Sequence, residues 1–262
     1  MRIIHLSDIH IGKSNNSERF ASIVDWILTR KSTHKSKVVV ITGDIVDDGE
    51  LWQYKEAKKY IDKLRNDNLR VLCSPGNHDY GRNGILENDE CIGYFRRYIS
   101  ENTDYPHCER IGEHAFIMLD SMLEEMRKTE LWGAQGELGK SQLRELDKLL
   151  DELEDESSNT KVVIAMHHHP FYHSYFLKLR DDELFKKVIT REEDGTSRAN
   201  CIMFGHKHVE KRFNQQRQSK EEKYGIDVIF CSGSSTERHS NGKMTIPVIN
   251  LKKNKIIKYQ VS

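Results

Sequence analysis

Residues 37–49 read Lys37-Val38-Val39-Val40-Ile41-Thr42-Gly43-Asp44-Ile45-Val46-Asp47-Asp48-Gly49. The run Lys37–Thr42 is β-rich and reads as a strand. Gly43 lets the backbone turn sharply, which exposes Asp44 at the carboxyl edge of a sheet. That edge is where open α/β folds place their ligands. Asp47 reads as a cap or brace of the following turn, with a ligand role as the alternative, and Asp48-Gly49 is turn chemistry. Apolar residues at helical spacing then fill Leu51–Leu64, with charged residues on the other face.

The same alternation extends both ways. β-rich runs occur at Ile3–Leu6, Arg70–Cys73, Ala115–Leu119, Val162–Met166, Ala199–Phe204 and Asp227–Cys231, and two more close the chain at Met244–Leu251 and Lys255–Val261. Helical periodicity marks Phe20–Thr29 and Leu143–Leu153. Helices between strands predict an α/β fold, and the consecutive strands near the end predict a mixed sheet. No repeat or low-complexity linker interrupts the chain, and none of its 4 prolines marks a boundary, so residues 1–262 read as a single domain. Tyr80–His114 and Glu210–Tyr224 read as inserted polar loops, the first around a short helix.

The chain has 262 residues with 41 Lys+Arg against 41 Asp+Glu, a balance that argues against a generic nucleic-acid binder. No apolar run has the ~18–20 residues of a membrane span. The start, Met1–Leu6, lacks a signal-peptide core, and the 5 cysteines form no C-x-x-C pair. A reduced, cytoplasmic protein is expected, with Cys73, Cys201 and Cys231 as small core residues.

The 13 histidines are the informative excess, because several follow strand ends beside Asp, Asn and Gly. Asp8-Ile9-His10 follows the first strand, and residues i and i+2 of an extended chain point the same way. Gly76-Asn77-His78-Asp79 follows the third; Asn offers a neutral carbonyl oxygen, His78 can act as a general acid, and Asp79 could orient it. His167-His168-His169-Pro170 follows Val162–Met166, and Gly205-His206-Lys207-His208 puts two imidazoles on one face. With Asp44 these make five strand-end groups of N and O donors. The set suits Mn, Fe, Zn, Co or Ni, and it is too large for one ion. Two metals sharing a carboxylate is the economical solution, and such sites favour phosphate-ester displacement.

In order, D-x-H, GD-x-x-D, GNHD, H-x-P and GH-x-H resemble the calcineurin-like metallophosphoesterase superfamily, from Asp8 to His208. The resemblance implies a four-layer α/β/β/α sandwich with two mixed β-sheets and the metals at the strand ends. It implies that Asp8, His10, Asp44 and His208 hold one metal. Asp44 then bridges to a second metal, completed by Asn77, His168 and His206. His168 is preferred because it lies two residues before Pro170, with His167 the next candidate. A metal-bridging hydroxide is implied as nucleophile. His78 is implied to stabilise the transition state or protonate the leaving oxygen, and Asp79 to hold His78.

Gly43–Gly49 with Tyr54, Asp120-Ser121, Gly136-Glu137-Leu138 and Gln142-Leu143 resemble the cyclic-nucleotide phosphodiesterase branch. The leading expectation is a two-metal phosphodiesterase on a small phosphate-ester substrate such as a cyclic nucleotide. Ile4–Gly12 also resembles the opening of DNA-repair nucleases, which makes nucleic acid the less favoured substrate. A phosphomonoesterase, a pyrophosphatase and a non-catalytic protein-binding scaffold are the competing readings. Tyr80, Arg82, Asn83, His173 and Tyr175 are candidates for substrate contact.

Overall fold

The computed structural model describes residues 1–82, 86–100, 104–122, 135–157, 159–171, 179–213 and 220–262. The chain runs β1 (Arg2–Leu6), α1 (Asn16–Thr29), α2 (Lys31–His34), β2 (Val38–Thr42), α3 (Leu51–Asn66) and β3 (Arg70–Ser74). It continues through α4 (Asn77–Tyr80), the short β4 (Gly81–Arg82) and β5 (Leu86–Glu87), α5 (Asp89–Tyr98), β6 (His107–Ile111) and β7 (His114–Met118). Then come α6 (Lys140–Glu156), β8 (Lys161–Ala165), α7 (Asp182–Val188), β9 (Cys201–Phe204) and β10 (Lys211–Arg212). Helix α8 (Lys220–Tyr224), β11 (Val228–Cys231), β12 (Met244–Asn250) and β13 (Lys255–Val261) complete it.

One sheet has the order β13-β12-β1-β2-β3 and the other β10-β11-β9-β8-β7-β6. Strands β1-β2-β3 are parallel to one another, as are β11-β9-β8-β7, while β12, β13, β6 and β10 pair antiparallel with their neighbours. Both sheets are therefore mixed, as the sequence predicts.

The two-residue period of each central strand sorts its side chains into separate cores. In β2, Val38 and Val40 face the layer between the sheets, and Val39 and Ile41 face the helices. In β8, Val163 and Ala165 face inward to the same middle layer, while Val162 and Ile164 face the opposite helices. Phe116 and Met118 of β7 meet Ile3 and Leu72 of the other sheet in that layer. Outside the first sheet, Phe20, Ile23, Val24 and Ile27 of α1 pack with Tyr54, Ala57, Ile61 and Leu64 of α3. Outside the second, Leu143, Leu146, Leu150 and Leu153 of α6 pack with Phe185 of α7. The result is four layers, helix–sheet–sheet–helix.

The two expected loops contain more order than their polarity suggests. Tyr80–His114 holds α5 and the edge strand β6, whose residues are all half-buried or exposed and so carry no apolar alternation. Glu210–Tyr224 holds β10 and α8 among its described residues. Asn83, His173 and Tyr175 lie outside the described residues, and Tyr80 is buried in the core beside Phe95. Among the described residues no helix is long and apolar enough to cross a membrane.

Candidate metal centre

The carboxyl ends of β1, β2, β3, β8 and β9 converge. Beyond β1 and β2 the pairing continues through the loops: Asp8 N donates to Gly43 O at 3.1 Å, His10 N to Asp44 O at 2.9 Å and Ile11 N to Ile45 O at 2.9 Å. Asp8, His10 and Asp44 each have φ of 52°, His206 has 74° and His208 has 53°. Residues with side chains other than glycine's rarely adopt this left-handed region, at a cost of order 1–3 kcal/mol each. Concentrating it at strand ends turns these carboxylates and imidazoles toward one another. Gly43, at φ +75°, has the same conformation, and a Cβ there would lie 2.6 Å from His167 Nδ1. The close approach of the two sheets at this point requires glycine.

Two groups of donors result. In the first, His208 Nε2 lies 3.4 Å from Asp8 Oδ1 and 3.2 Å from His10 Nε2, and His10 Nε2 lies 3.8 Å from Asp44 Oδ2. In the second, His167 Nε2 lies 3.3 Å from Asp44 Oδ2, 3.2 Å from Asn77 Oδ1 and 3.1 Å from His206 Nδ1. Asp44 Oδ2 belongs to both. Adjacent ligands of a transition metal with bonds of about 2.1 Å lie roughly 3.0–3.4 Å apart. The donor set, its N/O chemistry and its spacing therefore fit two such ions.

His168 also joins this region: His167, His168 and His206 offer nitrogen atoms within 4.8 Å of one another. The two neighbours in the triple-histidine run differ in their outer contacts. His167 Nδ1 is 2.8 Å from Thr42 O, so it donates its proton there and leaves Nε2 facing Asp44, Asn77 and His206. His168 Nδ1 is 2.8 Å from Ser121 Oγ, and its buried Nε2 has no hydrogen-bond partner among the described residues.

Charges are strongly coupled here. Burial would raise the Asp44 carboxyl, but the charge and hydrogen bond of His167, with further charge on His78 and His10, hold it well below the ordinary carboxylate range. Burial pulls His167 down, yet Asp44, Asp8 and the Thr42 carbonyl outweigh it and lift the imidazole to about 9. A cluster that holds a proton on a fully buried imidazole has the concentrated negative charge a divalent cation requires.

His78 stands at the margin, half-buried, its ring 4.6 Å from that of His10. Among the described residues no hydrogen bond joins it to the expected partner, Asp79. Asp79 is buried, and its carboxylate accepts backbone N–H groups from Ile45 at 2.9 Å, Val46 at 3.1 Å and Gly76 at 2.9 Å. Burial and the Asp44 charge push its carboxyl up to about 7 against these bonds. Asp79 thus ties the GNHD turn to the GD-x-x-D loop. Asp47 meets His78 instead: His78 Nδ1 donates to the Asp47 backbone carbonyl at 2.6 Å, and Asp47 Oδ1 lies 3.0 Å from His10 Nδ1. The bracing expected of Asp47 falls to Gln53, whose Oε1 accepts from Asp47 N and Asp48 N at 3.1 and 2.9 Å.

A sixth strand end contributes as well. After β11, Ser235 Oγ accepts from Ser7 N at 2.9 Å, Ser234 Oγ donates to Asp8 O at 2.7 Å, and Thr236 Oγ1 donates to Ile9 O at 2.8 Å. These hydroxyls hold the backbone around Asp8. Their only sequence signal is Ser-Gly-Ser-Ser-Thr after a strand, which also reads as an ordinary turn.

Residues 1–210 match the sequence profile described as Calcineurin-like phosphoesterase. A Xenorhabdus bovienii protein named "Probable cyclic nucleotide phosphodiesterase" is 21% identical over 263 residues, covering 92% of each chain. A component of the Escherichia coli K12 nuclease SbcCD is 31% identical over 86 residues, which cover 30% of this chain and only 21% of that one. Among solved structures, a dimetal phosphatase from Danio rerio superposes with a TM-score of 0.69 at 13% identity, over 100% of this chain and 96% of that one. A yellow lupin purple acid phosphatase gives 0.61 at 12% identity, over 100% of this chain and 53% of that one. With a profile match across most of its length and a sandwich that closes around two donor groups, the chain belongs to the calcineurin-like phosphoesterase family.

Proposed function

We propose that the chain is a two-metal phosphodiesterase acting on a small substrate such as a cyclic nucleotide. The observation that carries this reading is the shared Asp44 Oδ2, which stands 3.8 Å from His10 Nε2 and 3.3 Å from His167 Nε2. Asp8, His10, Asp44 and His208 would hold one ion. Asp44, Asn77, His206 and His167 would hold the other, with His167 favoured over His168 by its carbonyl-fixed Nδ1 and its three donor neighbours. Two ions so placed would neutralise the phosphodiester anion and lower the pKa of a bound water from about 15.7 toward neutral.

The chain's own groups do the rest. The Asp47 carbonyl keeps the proton on His78 Nδ1, so His78 presents Nε2 outward, where a protonated ring can donate to a leaving oxygen. Asp79 holds the turn that carries Asn77 and His78 against the loop that carries Asp44. Bound in this frame, the scissile group is positioned by fixed charge, which dominates phosphoryl-transfer catalysis.

The test is hydrolysis of bis-p-nitrophenyl phosphate by metal-stripped protein reloaded with Mn²⁺, with a chelator control, followed by 3′,5′-cyclic AMP. Chelator-sensitive turnover of both supports the reading. Turnover of monoesters alone contradicts it. The likeness to the SbcCD nuclease favours a second reading, a nuclease. That reading requires salt-dependent DNA affinity, which the balanced charge of 41 Lys+Arg and 41 Asp+Glu does not favour.

A further inference from the structure

His168 is fully buried beside the second donor group, yet the proposed ligand set leaves it out. It is held on three sides. Ser121 Oγ accepts from His168 N at 3.2 Å and lies 2.8 Å from His168 Nδ1. Gly136 comes so close that a Cβ there would lie 2.4 Å from His168 Cγ and Nδ1. The His206 ring stands 4.5 Å away between centroids, tilted by 49°. The frame behind the ring is tied down as well. Glu137 N donates to Ser121 O at 2.9 Å, and Arg180 N to Gly136 O at 2.8 Å. Asp181 Oδ2 accepts from Leu138 N and Gly139 N at 3.1 and 2.9 Å.

Burial keeps this ring neutral, so one nitrogen has a proton and the other accepts one. With the proton on Nδ1, the ring would donate to Ser121 Oγ. Both the Ser121 O–H and the Nε2 lone pair would then lack a partner among the described residues. With the proton on Nε2, the Ser121 O–H donates to Nδ1, and only the buried Nε2–H is unpaired. The second arrangement leaves fewer buried groups unsatisfied. An Nε2 that has a proton offers no lone pair to a metal ion. Beside it stands His206, whose backbone is left-handed at φ 74° and whose Nδ1 faces His167 Nε2 at 3.1 Å. His206 also borders an open cavity of about 500 Å³, room into which an unsupported ring can turn.

We propose that Ser121 and His168 are positioning residues: Ser121 locks the His168 ring, and that ring fixes His206 so that its Nδ1 meets the second ion. Gly136 supplies the room the His168 ring needs. The inference rests on the two-ion reading of the site. It adds residues that set the second ion's affinity without ligating it.

The test is Mn²⁺ binding to metal-stripped protein by equilibrium dialysis, with the absorption spectrum of the Co²⁺-loaded protein as a second readout. His168→Ala removes the ring, whereas His168→Phe keeps a ring and removes both nitrogens. The second ion is expected to bind about 10–100-fold more weakly in His168→Ala and within about fivefold of the parent in His168→Phe. The first ion's affinity should stay within about twofold in both. Ser121→Ala leaves the ring but unlocks it, and should weaken the second ion alone by about tenfold. The Co²⁺ bands of His168→Phe should match the parent's, because no ligand is lost. A second ion lost as fully in His168→Phe as in His168→Ala, with altered Co²⁺ bands, would make His168 a ligand and overturn the proposal. Second-ion affinity unchanged in both His168→Ala and Ser121→Ala would reduce the pair to packing and overturn it too. If His168→Phe does not fold, Ser121→Ala decides alone, by selective weakening of the second ion or its absence. Two ions bound without diester turnover would instead overturn the phosphodiesterase reading and leave the positioning role standing.

Discussion

Replacing Asp79 by Asn separates two accounts of that residue. If Asp79 served to orient His78, the change would alter catalysis and leave folding almost untouched. The structure instead has Oδ1 accepting from Ile45 N and Val46 N and Oδ2 accepting from Gly76 N, all in a fully buried setting. An Asn oxygen can keep the first two bonds, in weaker neutral form. Its amide then turns a donor toward the Gly76 donor, leaving two buried N–H groups opposed. One unsatisfied buried donor costs about 1–3 kcal/mol, and two charge-assisted bonds reduced to neutral ones add roughly 1 kcal/mol. The expected loss is about 2–4 kcal/mol, a large fraction of the ~5–15 kcal/mol of a typical domain. The assay is urea denaturation of metal-free protein at pH 8.5, where the carboxyl, pushed up to about 7 by burial and Asp44, is ionised; shedding that disfavoured charge offsets part of the loss, which puts the net change at the lower end of the range. A midpoint lowered by about 1 M is expected. An unchanged midpoint together with an altered pH–rate profile would refute the bracing role and restore the His78-orienting one.

Further outcomes follow from the same geometry. His167→Ala should abolish binding of the second Mn²⁺, whereas His168→Ala should leave it in place but weakened about 10–100-fold, as removal of an outer contact does; equilibrium dialysis with metal analysis distinguishes them. Ser235→Ala removes the hydroxyl that accepts from the buried Ser7 N–H, and calls for a loss of about 1–3 kcal/mol in thermal or urea unfolding. His5 is buried between the sheets, and burial lowers its pKa from 6.5 to about 3. Its contribution to stability is complete above about pH 6.5 and falls by about 1.4 kcal/mol per pH unit below it. His5→Gln should flatten the stability profile between those values, and an unaltered slope would count against a buried neutral imidazole.

All nine strands predicted from sequence form, with ends within a residue or two: most are central and apolar on both faces, and the edges β3 and β13 of the first sheet still carry enough apolar residues to read. The edge strands of the second sheet do not. β6 carries Glu109 and Arg110 in a half-exposed row, and β10 is two residues long, so neither has a readable period. The strand-end motifs were legible because unusual residue types recur at one structural position. What sequence could not assign was the direction of each side chain. His167, His168 and His169 are alike as letters, and only the packing against Thr42, Ser121 and Phe204 tells them apart. Likewise Asp79 adjoins His78 in sequence and Asp47 lies 31 residues away, yet it is the Asp47 carbonyl that His78 Nδ1 meets, a pairing only the fold reveals.

The central claim is that Asp44 joins two metal sites. It is tested most directly by counting Mn²⁺ bound to metal-stripped protein after equilibrium dialysis, in the parent chain and in Asp44→Asn. Two ions per chain, with both affinities weakened by the single substitution, are predicted. One ion per chain, or loss of only one of two in Asp44→Asn, would contradict a shared carboxylate.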